Sequence, residues 1–167
     1  MPIAGLADSL LDGVWCSDGK NSMMQWESHD YASQTEKDQF CIMLKTTKSG
    51  KGTMVGRGIT TYKNLQSKVD PSAGLRKDKV FYDASVFAFS SHQEGYRLVM
   101  VDVTDTTLFD LRFGADDTLQ GFVIEKGSVK KTKSRNAFAG YLYFVKSGAL
   151  PEDFDQTWHQ INKNTHA

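Results

Sequence analysis

Thr107-Leu108-Phe109-Asp110-Leu111-Arg112-Phe113 alternates in steps of two: Phe109, Leu111 and Phe113 fall on one face, Asp110 and Arg112 on the other. That is the pattern of a β-strand with one face in a core and one in water. Working outward, the same period predicts strands over 96–103, 79–90, 53–62, 39–47, 22–28 and 14–17 upstream, and over 119–125 and 137–146 downstream. Turn chemistry separates most of them: Asp18-Gly19-Lys20-Asn21, Lys48-Ser49-Gly50-Lys51-Gly52, His92-Gln93-Glu94-Gly95 and Gly114-Ala115-Asp116-Asp117. Gly56 and Gly58 lie inside a strand, where glycine is expected to mark a bulge or a bend. Short connections between consecutive strands make an antiparallel meander, and a meander of about eight or nine strands removes its edges by closing into a barrel. A β-sandwich is the alternative, but few connections are long enough for its crossings.

A helix is expected at each end. Ile3, Leu6 and Leu10 share a helical face over 3–11, and Asp12-Gly13 stops it. Leu150-Pro151-Glu152-Asp153 is expected to open a second helix, whose apolar face carries Phe154, Trp158 and Ile161. The 167 residues suit one domain, with no repeat or linker dividing them. The 20 basic and 20 acidic side chains cancel, which argues against a nucleic-acid binder. The same neutrality weakens colloidal repulsion and leaves a homodimer open. No apolar run approaches a membrane span, so no membrane partner is expected. Met1-Pro2-Ile3-Ala4-Gly5 has no basic stretch followed by a long apolar run, so no leader is expected. Cys16 and Cys41 are therefore expected as free thiols in a reducing, cytoplasmic setting, with a cross-strand disulfide as the alternative.

The order of helix, then Gly13-Val14-Trp15 opening the first strand, then β-meander and late helix resembles the lipocalin-like (calycin) superfamily. The resemblance implies that Trp15 closes one end of the barrel under a basic residue, Lys146 or Arg135. It also implies an interior that takes one small molecule. Gly13-Val14-Trp15-Cys16-Ser17 is similar to the opening of lipocalin-like bilin lyases, and residues 154–162 to the closing helix of phenolic acid decarboxylases. Neither likeness carries an activity across.

Chemistry-bearing motifs are few. His29, His92, His159 and His166 lack metal-ligand spacing, so no metal or other cofactor is expected. There is no nucleophile elbow, and Lys48-Ser49-Gly50-Lys51-Gly52-Thr53 lacks phosphate-loop spacing. Pro2 precedes a helix rather than a strand, unlike the catalytic proline of tautomerases. Five basic residues lie within 126–135, read as a solvated hairpin loop because no aromatic is interleaved for base stacking. Arg57, Asp83, Arg97, Asp102, Asp110, Arg112 and Glu125 stand in mid-strand. A charge inside a barrel is costly unless paired, so interior ones are functional candidates. Asp110 and Arg112 are expected outside, and Arg57 and Asp83 inside.

The leading expectation is a barrel that binds a small apolar or aromatic molecule. Met24, Trp26, Arg57, Tyr82, Tyr141 and Tyr143 would line the site, with Arg57 holding a carboxylate or phenolate. The alternative is a cofactor-independent lyase, isomerase or cyclase, in which Arg57, Asp83 and Tyr82 perform acid–base work. A third option is a partner-binding module with a filled core.

Overall fold

The computed structural model describes residues 11–26, 38–64, 80–92, 95–102, 106–114, 117–126 and 137–165. Alternation becomes strand throughout: β1 (Gly13–Ser17), β2 (Met23–Trp26), β3 (Asp38–Gly50), β4 (Thr53–Asn64), β5 (Val80–His92), β6 (Gly95–Asp102), β7 (Thr106–Phe113), β8 (Thr118–Lys126) and β9 (Ala137–Gly148). Each of the pairs from β3–β4 to β8–β9 is antiparallel and consecutive. β1 joins β3 on one side and β9 on the other, which closes an eight-stranded meander barrel. β2 continues beyond β1 along β9, with Met23 opposite Tyr141 and Trp26 opposite Phe138. Of the helix expected over 3–11, only Leu11 is among the described residues.

The β3–β4 hairpin turns on two residues. Lys51 (φ 51°) and Gly52 (φ 75°) are both left-handed, as the tight turns that match strand twist require. Gly56 lies at a bulge: the register shift falls on β3 between Thr46 and Lys48, opposite the Gly56–Val55 step, while β4 runs unbroken against β5. A Cβ at Gly56 would stand 2.5 Å from the Phe87 ring, and one at Gly58 would stand 2.4 Å from Ser85 Oγ. Gly58 admits a side chain from β5, and Gly56 admits both the Phe87 ring and the backbone oxygen of Lys45 on β3.

Parity assigns the two faces of the wall. Phe40, Ile42 and Leu44 of β3, Met54 of β4, Phe87 and Phe89 of β5, and their counterparts through Leu142 and Phe144 of β9 form the interior core. On the outside of β4 and β5, Ile59 and Ala84 are covered by Phe154 and Trp158 of α1 (Phe154–Thr165). Trp158 Nε1 donates to the backbone oxygen of Ser85 (3.0 Å). This helix begins three residues after Pro151, whose carbonyl accepts from Phe154 N (3.2 Å), so the proline sits in the entry turn rather than the first helical turn.

Cys16 and Cys41 are bonded, which corrects the expectation of free thiols. They are register partners in β1 and β3, with Cα atoms 4.1 Å apart, the close spacing of a directly opposed antiparallel pair. A cysteine count does not choose between thiols and a bond, because the pairing depends on the register of β1 against β3. With the sulfurs bonded, the cysteines no longer point to a reducing compartment. Among the described residues, no helix is long and apolar enough to cross a membrane.

Candidate functional site

The barrel interior is graded from one end to the other. At the end holding the β3–β4 and β7–β8 connections, Trp15 is fully buried. Its indole nitrogen donates to Leu11 O (2.9 Å), and Lys146 Nζ of β9 lies 5.5 Å from its ring centroid. Phe113 meets Trp15 edge-on at 5.9 Å and Tyr96 edge-on at 5.9 Å, and Phe89 stacks on Tyr96 at 5.4 Å. These rings plug that end. Leu98, Met100, Phe109, Leu111 and Leu142 fill the middle, all fully buried.

Polarity enters toward the opposite end. Thr60, Ser85 and Thr107 are buried, and parity puts all three on the interior face. Asp83 shares that face two residues from Ser85, is half-buried, and its backbone oxygen accepts from Thr60 Oγ1 (3.4 Å). Ser85 Oγ is buried with no hydrogen-bond partner among the described residues, the sole buried side-chain polar atom there in that position. In register, Asp102 lies opposite Ser85, and Glu125 opposite Thr107.

The expected site residues do not converge. Arg57 is on the outer face, a correction to its interior placement. Its guanidinium lies 4.7 Å from the Trp158 ring centroid, and Nη1 is 3.5 Å from His159 Nε2. Beside it Lys45 pairs with Asp155, and that hydrogen bond holds the Asp155 carboxyl below the usual carboxylate range. Two cations directly opposed on β3 and β4, Lys45 and Arg57, are thus bridged by α1. Arg57 cannot meet a molecule in the interior, and it stands across the wall from Asp83.

Tyr141 and Tyr143 also face outward, since Leu142 and Phe144 take the interior positions of β9. Tyr141 donates to Gln120 Oε1 (3.0 Å) and meets Phe122 edge-on at 5.5 Å. Met24, Trp26 and Tyr82 occupy strand positions opposite Gly140, Phe138 and Thr61; their side chains lie outside the described residues. Asp110 is outside as expected, in a bidentate pair with Arg97 (2.7 and 2.6 Å). Hydrogen bonding to Arg97 lowers the Asp110 pKa, against a smaller opposing effect of burial.

Ser85, Thr60 and Thr107 are the interior polar groups that charge-seeking missed. The signal was present in β5, where Ser85 holds the same parity as Phe87 and Phe89. Among the described residues no cluster of His, Cys, Asp or Glu is placed to hold a metal. In sequence the chain matches no protein-family model and no curated protein.

Proposed function

We propose that this chain is a lipocalin-like barrel that binds one small, mostly apolar molecule in its interior. The observation that carries the reading is the plugged end. A buried Gly-x-Trp tryptophan on the first strand, capped by Lys146 of the last, leaves a barrel sealed at one end with an apolar middle. An interior of about eight strands is of the width that side chains fill or that holds one small ligand. The polar side chains gather at the far end, where they would orient what enters. Arg57 and Asp83 stand on opposite faces, so nothing favours the lyase or isomerase reading over binding. The Cys16–Cys41 bond supports an oxidising compartment in place of the cytoplasm.

Native mass spectrometry of protein purified from its source tests the reading and reports oligomeric state in the same spectrum. A neutral fluorescent dye such as N-phenyl-1-naphthylamine adds an equilibrium titration. A co-purified small molecule, or saturable one-to-one dye uptake, is expected. Ligand-free protein that also ignores the dye would mean a filled core and would end the proposal.

A further inference from the structure

We infer that Ser85 is the hydrogen-bonding anchor of the interior site, and that it selects a ligand whose buried end carries an uncharged oxygen, a hydroxyl or a carbonyl, rather than a carboxylate. This rests on the binding reading above. It adds the chemical class of the ligand and the atom that holds it.

A hydroxyl that is fully buried and unpartnered is an unusual thing to keep. Its desolvation is uncompensated, and alanine would fit the same space without that cost. The position is also tightly made. Trp158 donates to the Ser85 carbonyl from the outer face, which fixes the backbone while the side chain stays inside. Gly58 has no Cβ where one would come within 2.4 Å of Ser85 Oγ and 3.0 Å of Met100 Sδ. The hydroxyl thus stands where the apolar middle meets the polar end. It has one proton to give and two lone pairs to offer. A ligand oxygen arriving there satisfies it.

The surroundings set the charge. The cation that would have held a carboxylate, Arg57, is on the outer face against Trp158. Lys146 is at the plugged end, over Trp15. Asp83 shares the interior face two residues away. An anion beside Ser85 would meet that acid in a medium that screens poorly, whereas a neutral oxygen would not.

The test uses the whole oxidised protein and competition against N-phenyl-1-naphthylamine by 1-decanol, decanoate and decylamine. Wild type is expected to take decanol at least tenfold better than decanoate. Ser85→Ala should weaken decanol about three- to tenfold, the usual worth of one neutral hydrogen bond, with the dye's affinity for the variant titrated separately to set the competition. Circular dichroism of the variant confirms the fold. If Ser85→Ala leaves decanol unaffected, or if decanoate or decylamine binds best, the anchor is overturned while the binding reading stands. If wild type takes neither dye nor competitor, the binding reading fails and this inference with it.

Discussion

Breaking the Cys16–Cys41 bond is the perturbation whose size follows most directly from the chain. The bond closes a ring with a sequence separation of 25. By the loop-entropy relation, a ring of that size removes enough freedom from the unfolded chain to stabilise the fold by about 3.5 kcal/mol. For a chain of this length that corresponds to about 10 °C in the melting midpoint. The position sharpens the expectation. Cys16↔Cys41 is the last register pair of β1 with β3, and the next contact is one hydrogen bond, Phe40 N to Ser17 Oγ at 3.1 Å. The bond therefore fastens the far end of the β1–β3 pairing. Urea unfolding of wild type, with and without reductant, should be compared with a Cys16→Ser/Cys41→Ser double variant. Reduced wild type and the double variant should coincide, both well below the oxidised protein. Amide exchange should quicken first around Trp15, Cys16 and Ile42. A difference below about 1 kcal/mol would refute the entropic reasoning, because the unfolded ring would then already be compact. Two titratable thiols in the unfolded, unreduced protein would refute the bond itself.

Trp15→Phe should cost about 1–3 kcal/mol, since it leaves Leu11 O without its donor and trims a fully buried ring; chemical denaturation measures it. Ser85→Ala should do the opposite in ligand-free protein, raising stability by about 1 kcal/mol or more through removal of an unpartnered buried hydroxyl, read as a higher melting midpoint. For Asp110, the folded pKa lies below the ordinary carboxylate value, so its pairing with Arg97 stabilises the fold above that value. The contribution is lost as pH falls through the lowered folded pKa. Asp110→Asn should accordingly flatten the acid limb of a stability–pH profile, by a small amount because the pair is largely exposed, and high salt should shrink the difference further.

The strands were legible because a wall with core on one side and water on the other forces polarity to alternate. Closure was legible because short connections forbid most other topologies. The pattern failed where both faces of the wall are covered. On β4 and β5, α1 buries Ile59 and Ala84 from outside while Met54 and Phe87 are buried from inside. An apolar residue there says nothing about its side, and Gly56 and Gly58 carry no side chain to settle it. The pattern therefore does not separate an outer Arg57 from an interior one. Tyr141-Leu142-Tyr143-Phe144 misled in the same way, because an outer tyrosine that packs on Phe122 looks like a core residue in a one-dimensional pattern. The disulfide stood only as the alternative to free thiols, because choosing it requires the register of the first strand against the third, which the cysteine spacing does not give.

These failures share a cause that also explains how Ser85 was overlooked. Charged side chains draw attention because burying them is costly, yet that cost is why a folded chain turns them outward, as Arg57 and Asp110 are turned. A small hydroxyl is cheap enough to be left inside without a partner, at a penalty that a bound molecule can remove. In a barrel read from sequence, then, the informative polar residue is the small one on the parity of the aromatics. Ser85, in step with Phe87 and Phe89, is such a residue: a short polar side chain on the apolar phase of the alternation that makes the strand.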